Sequence, residues 1–201
     1  QRRGFEARHH TLRAAIDWSY DLLQADEQAL LRHMAVFESG CTLDILEAIC
    51  SGDVPLGESN LDLISSLVKK SLVVAETSGR TQVRFRLLET IREYLLEKLN
   101  QAGEAELWRD RHLNLYLARA EEGAPKLGGS YQQLWLNWLD DEIDNLRAAL
   151  SSAVNNGRES APNSVRIETG LRIANTLMLY WQIRGIAQEG LTWFERLLKK
   201  V

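Results

Sequence analysis

Proline and glycine are scarce in this sequence, 3 and 13 among 201 residues. So few breakers count against a many-stranded sandwich or barrel and suit long helices. No apolar run approaches the roughly 18 residues of a membrane span, and no signal-peptide pattern is present, so a cytoplasmic setting is expected. Cysteine is nearly absent. Cys41 and Cys50 flank or share one short helical segment, too far apart along it for an unstrained disulfide. They are expected to be buried small hydrophobes in a reducing compartment.

Catalytic signatures are missing as well. There is no phosphate loop, no Gly-x-Gly-x-x-Gly turn and no Gly-x-Ser-x-Gly elbow. His9, His10, His33 and His112 lie in no zinc-ligand frame. His9 and His10 are expected to be solvated and His112 packed. Gly128-Gly129-Ser130 suits a helix start better than an anion cradle. Asp140, Asp141, Glu142 and Asp144 fall inside a helical pattern without a calcium loop, and are expected to form a solvated helix face. No enzyme, cofactor site or metal site is expected in this chain.

What is present is ordinary globular composition, 45% hydrophobic and 26% charged, with a net charge of −4. That balance argues against global disorder and against a purely electrostatic nucleic-acid binder. The chain opens on Gln1, not Met, and is expected to be a piece of something longer.

The pattern changes period along the chain. Leu12, Ala15, Ile16, Tyr20 and Leu23 recur at helical spacing, with Thr11 as the expected cap. Asp26 is the expected cap of a second helix bearing Leu30, Leu31, Met34 and Phe37, and Thr42 starts a short third. After a loop with Pro55 and Gly57, Ser59 or Asn60 caps a helix with Leu63, Ile64, Leu67 and Val68. Leu72 to Glu76 is β-prone, and Gln82 to Leu87 alternates with Val83, Phe85 and Leu87 on one face. The two runs are expected to form a hairpin across the turn Thr77 to Arg80. A helix returns with Leu88, Ile91, Tyr94, Leu95 and Leu99 on one side. Helices followed by a hairpin are the order of a winged-helix domain.

Beyond Gly103 the pattern is helical to the end. Four helices are expected, with a polar loop over 155–164, and the last has the small-then-aromatic look of a tetratricopeptide helix. A strict 34-residue period is absent. The expected fold is therefore mainly α. A winged-helix domain with a two-stranded β-hairpin spans 1–102, and a tetratricopeptide-like antiparallel helical array spans 103–201.

Three segments carry a resemblance. They are Thr11 to Leu23, Ser66-Leu67-Val68-Lys69-Lys70-Ser71-Leu72-Val73, and Phe85-Arg86-Leu87-Leu88-Glu89-Thr90-Ile91-Arg92-Glu93-Tyr94. Together they resemble bacterial STAND-class signal-transduction ATPases that act as transcriptional regulators. Asp141 to Leu150 is similar to the region after the winged helix in that class. The resemblance implies a non-catalytic regulatory fragment, with the nucleotide-binding core, and hence ATP or ADP, lying upstream. The winged helix would dock on that core, and the helical repeats would bind a signal or protein partner.

In related switches a Met-His-Asp triplet opens the helix after the wing, its histidine contacting the diphosphate of ADP. Leu87, Leu88 and Glu89 stand at the matching positions, so the resemblance places Leu88 at the nucleotide and removes that hydrogen bond. From the residues alone, Leu88 reads as a core leucine.

Two surfaces complete the expectations. Direct DNA contact would use Lys69 and Lys70 on the helix over 60–70, with Arg80, Arg84 and Arg86 on the wing. Residues 1–100 hold 12 Lys/Arg against 15 Asp/Glu, which argues against DNA as a partner of this fragment. Trp135, Trp138, Trp181 and Trp193 are the candidate partner surface, with inter-helix packing as the plainer role.

Overall fold

The computed structural model describes residues 2–51, 59–77, 82–155 and 163–201, the side chains of residues 2–10 and 163 excepted. Two compact units result. One comprises Gln1–Val36 and Gly40–Ala105, the other Phe37–Ser39 and Glu106–Val201. The three residues Phe37–Ser39 thus pack with the second unit, although they fall within the 1–102 span expected for the first domain.

The first unit is built from helices α1 (Arg2–Asp21), α2 (Ala25–Met34), α3 (Leu43–Cys50), α4 (Asn60–Lys69) and α5 (Glu89–Gln101). Their inner faces follow the sequence spacing: Ile16 and Tyr20, with Leu23 just past α1, then Leu30, Leu31 and Met34, then Leu63, Ile64 and Leu67 are all buried. α4 packs on α2 and α3, while α2 and α1 both meet α5. Thr11 lies inside α1 and does not cap it. α2 starts from Gln24, not Asp26, and the Gln24 N–H donates to Glu27 Oε2 at 2.9 Å. A carboxylate at the third helical position does what a capping side chain would do.

Three strands, β1 (Cys41–Thr42), β2 (Val74–Glu76) and β3 (Arg84–Arg86), form an antiparallel sheet in the order β1-β3-β2. The expected two-stranded hairpin is therefore only part of the sheet. Cys41 pairs with Phe85 and Thr42 with Arg84, while Ala75 faces Phe85 from the other side. Gly40 makes the third strand fit. Its φ is +75°, and a Cβ there would lie 2.2 Å from the Phe85 carbonyl oxygen. The turn residues 78–81 and the loop holding Pro55 and Gly57 lie outside the described residues.

The second unit contains α6 (Ala105–Gly123, its first residue still in the first unit), a 3₁₀ turn Ala124–Gly128, α7 (Gln132–Val154), α8 (Asn163–Ile183) and α9 (Ala187–Leu198). The turn ends at Gly128, and α7 begins at Gln132 from an N-cap at Tyr131, so the helix start expected at Gly128-Gly129-Ser130 lies within two residues of the observed one. Asn163 and Ser164 belong to α8, so the expected polar loop is shorter at that end; residues 156–162 lie outside the described residues. α8 packs against both α7 and α9.

Small residues meet large ones at these contacts. A Cβ on Gly190 would lie 2.5 Å from the Trp181 ring, and one on Gly170 would lie 2.7 Å from Leu197. Ion pairs add to the packing. Arg166, 6% exposed in its side chain, joins α8 to Asp110 at 2.6 Å and Glu106 at 3.0 Å on α6. Arg147 of α7 grips Glu189 of α9 at 2.7 Å. Of the acidic run expected on a solvated face, Asp140 pairs at 2.9 Å with Arg184, just past the end of α8, and Glu142 is 2% exposed. These carboxylates hold helices together.

Candidate nucleic-acid interface

α4 begins where the sequence signals it: Ser59 Oγ accepts from the Asp62 N–H at 3.2 Å. It ends tightly, with the Leu72 N–H reaching the Leu67 carbonyl at 3.1 Å and Ser71 at φ +59°. Its position on α2 is set by Glu27, which is 4% exposed. Glu27 accepts from Ser66 Oγ at 2.7 Å and from Lys70 Nζ at 2.7 Å, besides the Gln24 N–H. Burial raises the affinity of this carboxyl for its proton, but these donors outweigh it, so it titrates below the usual glutamate range.

The four candidate cations therefore differ in availability. Lys70 is tied to Glu27. Arg84 donates to the Gly40 carbonyl at 2.9 Å, and Arg86 pairs with Glu76 across the hairpin at 3.1 Å. Lys69 is exposed and pairs with none of the described residues. Arg80 lies outside them. Leu61, half exposed, and Asp62 stand with Lys69 on the outer side of α4.

Leu88 is not in the core. It is the N-cap of α5 and 55% exposed, and its carbonyl accepts the N–H groups of Ile91 and Arg92 at 2.9 Å. Its side chain has no hydrogen-bond donor, and Glu89 beside it pairs with Arg92 at 3.0 Å.

The tryptophans divide into two sets. Trp181 and Trp193 are buried, 2% and 8% exposed, so neither presents a partner surface. Trp135 and Trp138 are partly buried and meet edge to face at 5.3 Å. Trp135 also packs on Gly123, with Lys126 Nζ 4.5 Å from its ring.

Residues 23–100 match the family model described as a winged helix-turn-helix domain. The first unit carries a winged helix. In it α4 is followed directly by the antiparallel β2–β3 pair. Relatives from Mycobacterium tuberculosis and Mycobacterium bovis, each provisionally named an HTH-type transcriptional regulator, are 41% identical over 198 residues. The match covers 98% of this chain and 21% of theirs, so the chain spans about a fifth of the length of these curated relatives. An uncharacterized protein of M. tuberculosis is 41% identical over 97 residues, 48% of this chain and 24% of its own. No solved structure matches the chain.

Sequence reasoning missed several features of the winged helix. On α1 Leu12 is 46% exposed, against expectation, and Trp18 is 68% exposed, while Leu22, just past its end, is 62% exposed. Trp18 falls off the Ile16-Tyr20-Leu23 spacing, a signal that was legible. A polar chain across α1, α2 and α5 was not legible. Tyr94 Oη donates to Asp17, whose carboxylate also pairs with Lys98 at 3.0 Å. Burial and that hydrogen bond push the Tyr94 hydroxyl up to about 12. Arg32 donates to Tyr20 Oη at 2.8 Å and to Glu104 at 3.0 Å, and His33 lies 3.4 Å from Glu104.

A groove lined by Arg13, Asp17, Tyr94, Glu97 and Lys98 runs beside this chain, its charges paired with one another. Among the described residues no group of three His, Cys, Asp or Glu side chains is arranged to hold a metal ion. No helix among them is long and apolar enough to cross a membrane.

Proposed function

We propose that this chain is the regulatory portion of a larger transcriptional regulator of the STAND class. The winged helix docks on an ATPase core through protein contacts, and the helical array receives a signal or protein partner. The observation that carries this reading is the state of the recognition surface. Lys70 and Arg86 are paired with carboxylates and Arg84 is turned to a backbone carbonyl, which leaves Lys69, of the candidates among the described residues, beside Leu61 and Asp62. Groove readers concentrate cations where phosphates lie. ATP or ADP belongs to the proposed core: Leu88 offers a diphosphate no side-chain donor, and Glu89 brings a carboxylate to that place.

A second reading, direct DNA contact by the winged helix, is favoured by the HTH-type names of the mycobacterial relatives. One titration separates the two. Fluorescence anisotropy of the chain with labelled duplex DNA at low salt is expected to show only weak binding, unchanged in Lys69→Ala. Tight binding that falls roughly tenfold with loss of one phosphate contact, and falls steeply with salt, would establish the second reading instead. In the docking arm, the chain is expected to retain the upstream segment of its own reading frame on an affinity column. Failure to do so removes the docking claim.

A further inference from the structure

The second unit is not made of its own stretch of sequence alone. Three residues between α2 and β1 complete it. Phe37, 1% exposed, is packed edge-on against His112 at 5.2 Å between ring centres and against Tyr116 at 6.5 Å. The next two amides are read by one side chain: Asn145 Oδ1 accepts the Glu38 N–H at 2.8 Å and the Ser39 N–H at 3.4 Å. Asn145 is itself fully buried. Its Nδ2 donates to Glu142 Oε2 at 2.7 Å, the same oxygen that accepts Tyr116 Oη at 2.6 Å.

This is a built socket. An aromatic slot takes the side chain, and an amide oriented by a buried carboxylate takes the backbone. Burial alone explains the His112 imidazole, which is held neutral, its pKa lowered to about 3. The slot therefore stays apolar at any ordinary pH.

The strap enters and leaves the socket at fixed points. Val36 precedes it, two residues after the last of α2, and Gly40 follows it into β1, where the positive φ and the close approach to Phe85 leave no slack. We propose that Phe37–Ser39 is a coupling strap. Its seating in the Asn145 socket fixes the end of α2 and the start of β1, so that a change in the α6–α7 pair is passed along the backbone to the sheet of the winged helix. The inference holds whether the winged helix meets protein or DNA.

Hydrogen exchange on the intact chain tests it. In the wild-type chain the Glu38 and Ser39 amides are expected to be protected. In Asn145→Ala they are expected to exchange at least roughly tenfold faster, the scale of one lost buried hydrogen bond. The amides of Ala35 and of the β1–β3 pair are expected to accelerate with them, while α4 and α5 stay unchanged. Unprotected Glu38 and Ser39 amides in the wild-type chain would overturn the proposal. So would acceleration confined to the socket, or spread evenly through the chain, since either marks a merely local or merely structural role. If Asn145→Ala does not fold, Phe37→Leu, which keeps an apolar plug, is read by the same amides and the same criteria.

Discussion

Glu27 joins three parts of the winged helix through hydrogen bonds. It caps α2, accepts from Ser66 and pairs with Lys70. Replacing it with alanine leaves those donors without their acceptor. The Glu27→Ala chain is expected to lose roughly 1–3 kcal/mol, measured as a lower urea midpoint with unchanged slope. Lys70 is 41% exposed in its side chain, so the ion pair supplies the smaller share and Lys70→Ala costs less.

His112 makes a prediction of opposite character. Its imidazole titrates near 6.5 when the chain is unfolded and near 3 in the fold. Between those values the unfolded chain binds a proton that the folded chain refuses. Stability from this residue is therefore full above about pH 6.5 and falls as pH drops toward 3, by at most about 1.4 kcal/mol per pH unit. His112→Phe is expected to flatten that slope between pH 6.5 and 5 in chemical denaturation. An identical slope in both chains would show that the ring is hydrated.

At the scale of the element, two glycines with nearly the same backbone angle should respond differently. Gly40 and Gly103 have φ of +75° and +73°, but only Gly40 has neighbours where a Cβ would go. Gly103→Ala is expected to cost about 1 kcal/mol, the strain of the left-handed conformation. Gly40→Ala adds a clash with the Phe85 carbonyl and is expected to cost several times more, separating β1 from β3. Thermal denaturation of the two variants side by side measures the difference.

The same scale shows how much was legible in the sequence. The Ser59 cap and the Leu63-Ile64-Leu67 face of α4 are local signals, and both are present in the fold. β1 was not legible because two residues cannot display an alternation, and its pairing depends on Gly40 and Phe85 from distant parts of the chain. Leu88 fits the apolar spacing of α5, yet it is the first residue outside that helix and its side chain is exposed. Spacing cannot distinguish a cap from the first turn.

For the molecule as a whole, the passage from a unit with a small sheet to a purely helical one was visible as a change of period. What escaped the sequence is tertiary. Glu142 looks like one more acid on a solvated face until Tyr116, 26 positions earlier, donates to it. Asn145 carries no signal of its own. The candidate cations were individually legible, but their availability was not, because Glu27, Glu76 and the Gly40 carbonyl decide it. The net charge of −4, by contrast, needed no fold to be read.

Cys41 turns the strap into something measurable from outside. Its thiol is completely buried, two residues after Ser39 and opposite Phe85 in the sheet, and it forms no disulfide. A thiol reagent reaches it only when β1 lifts away, whereas Cys50, buried at the end of α3, needs a different opening. With Cys50 changed to alanine, the labelling rate at Cys41 becomes a clock for that one strand, set within the molecule by its own covalent chemistry.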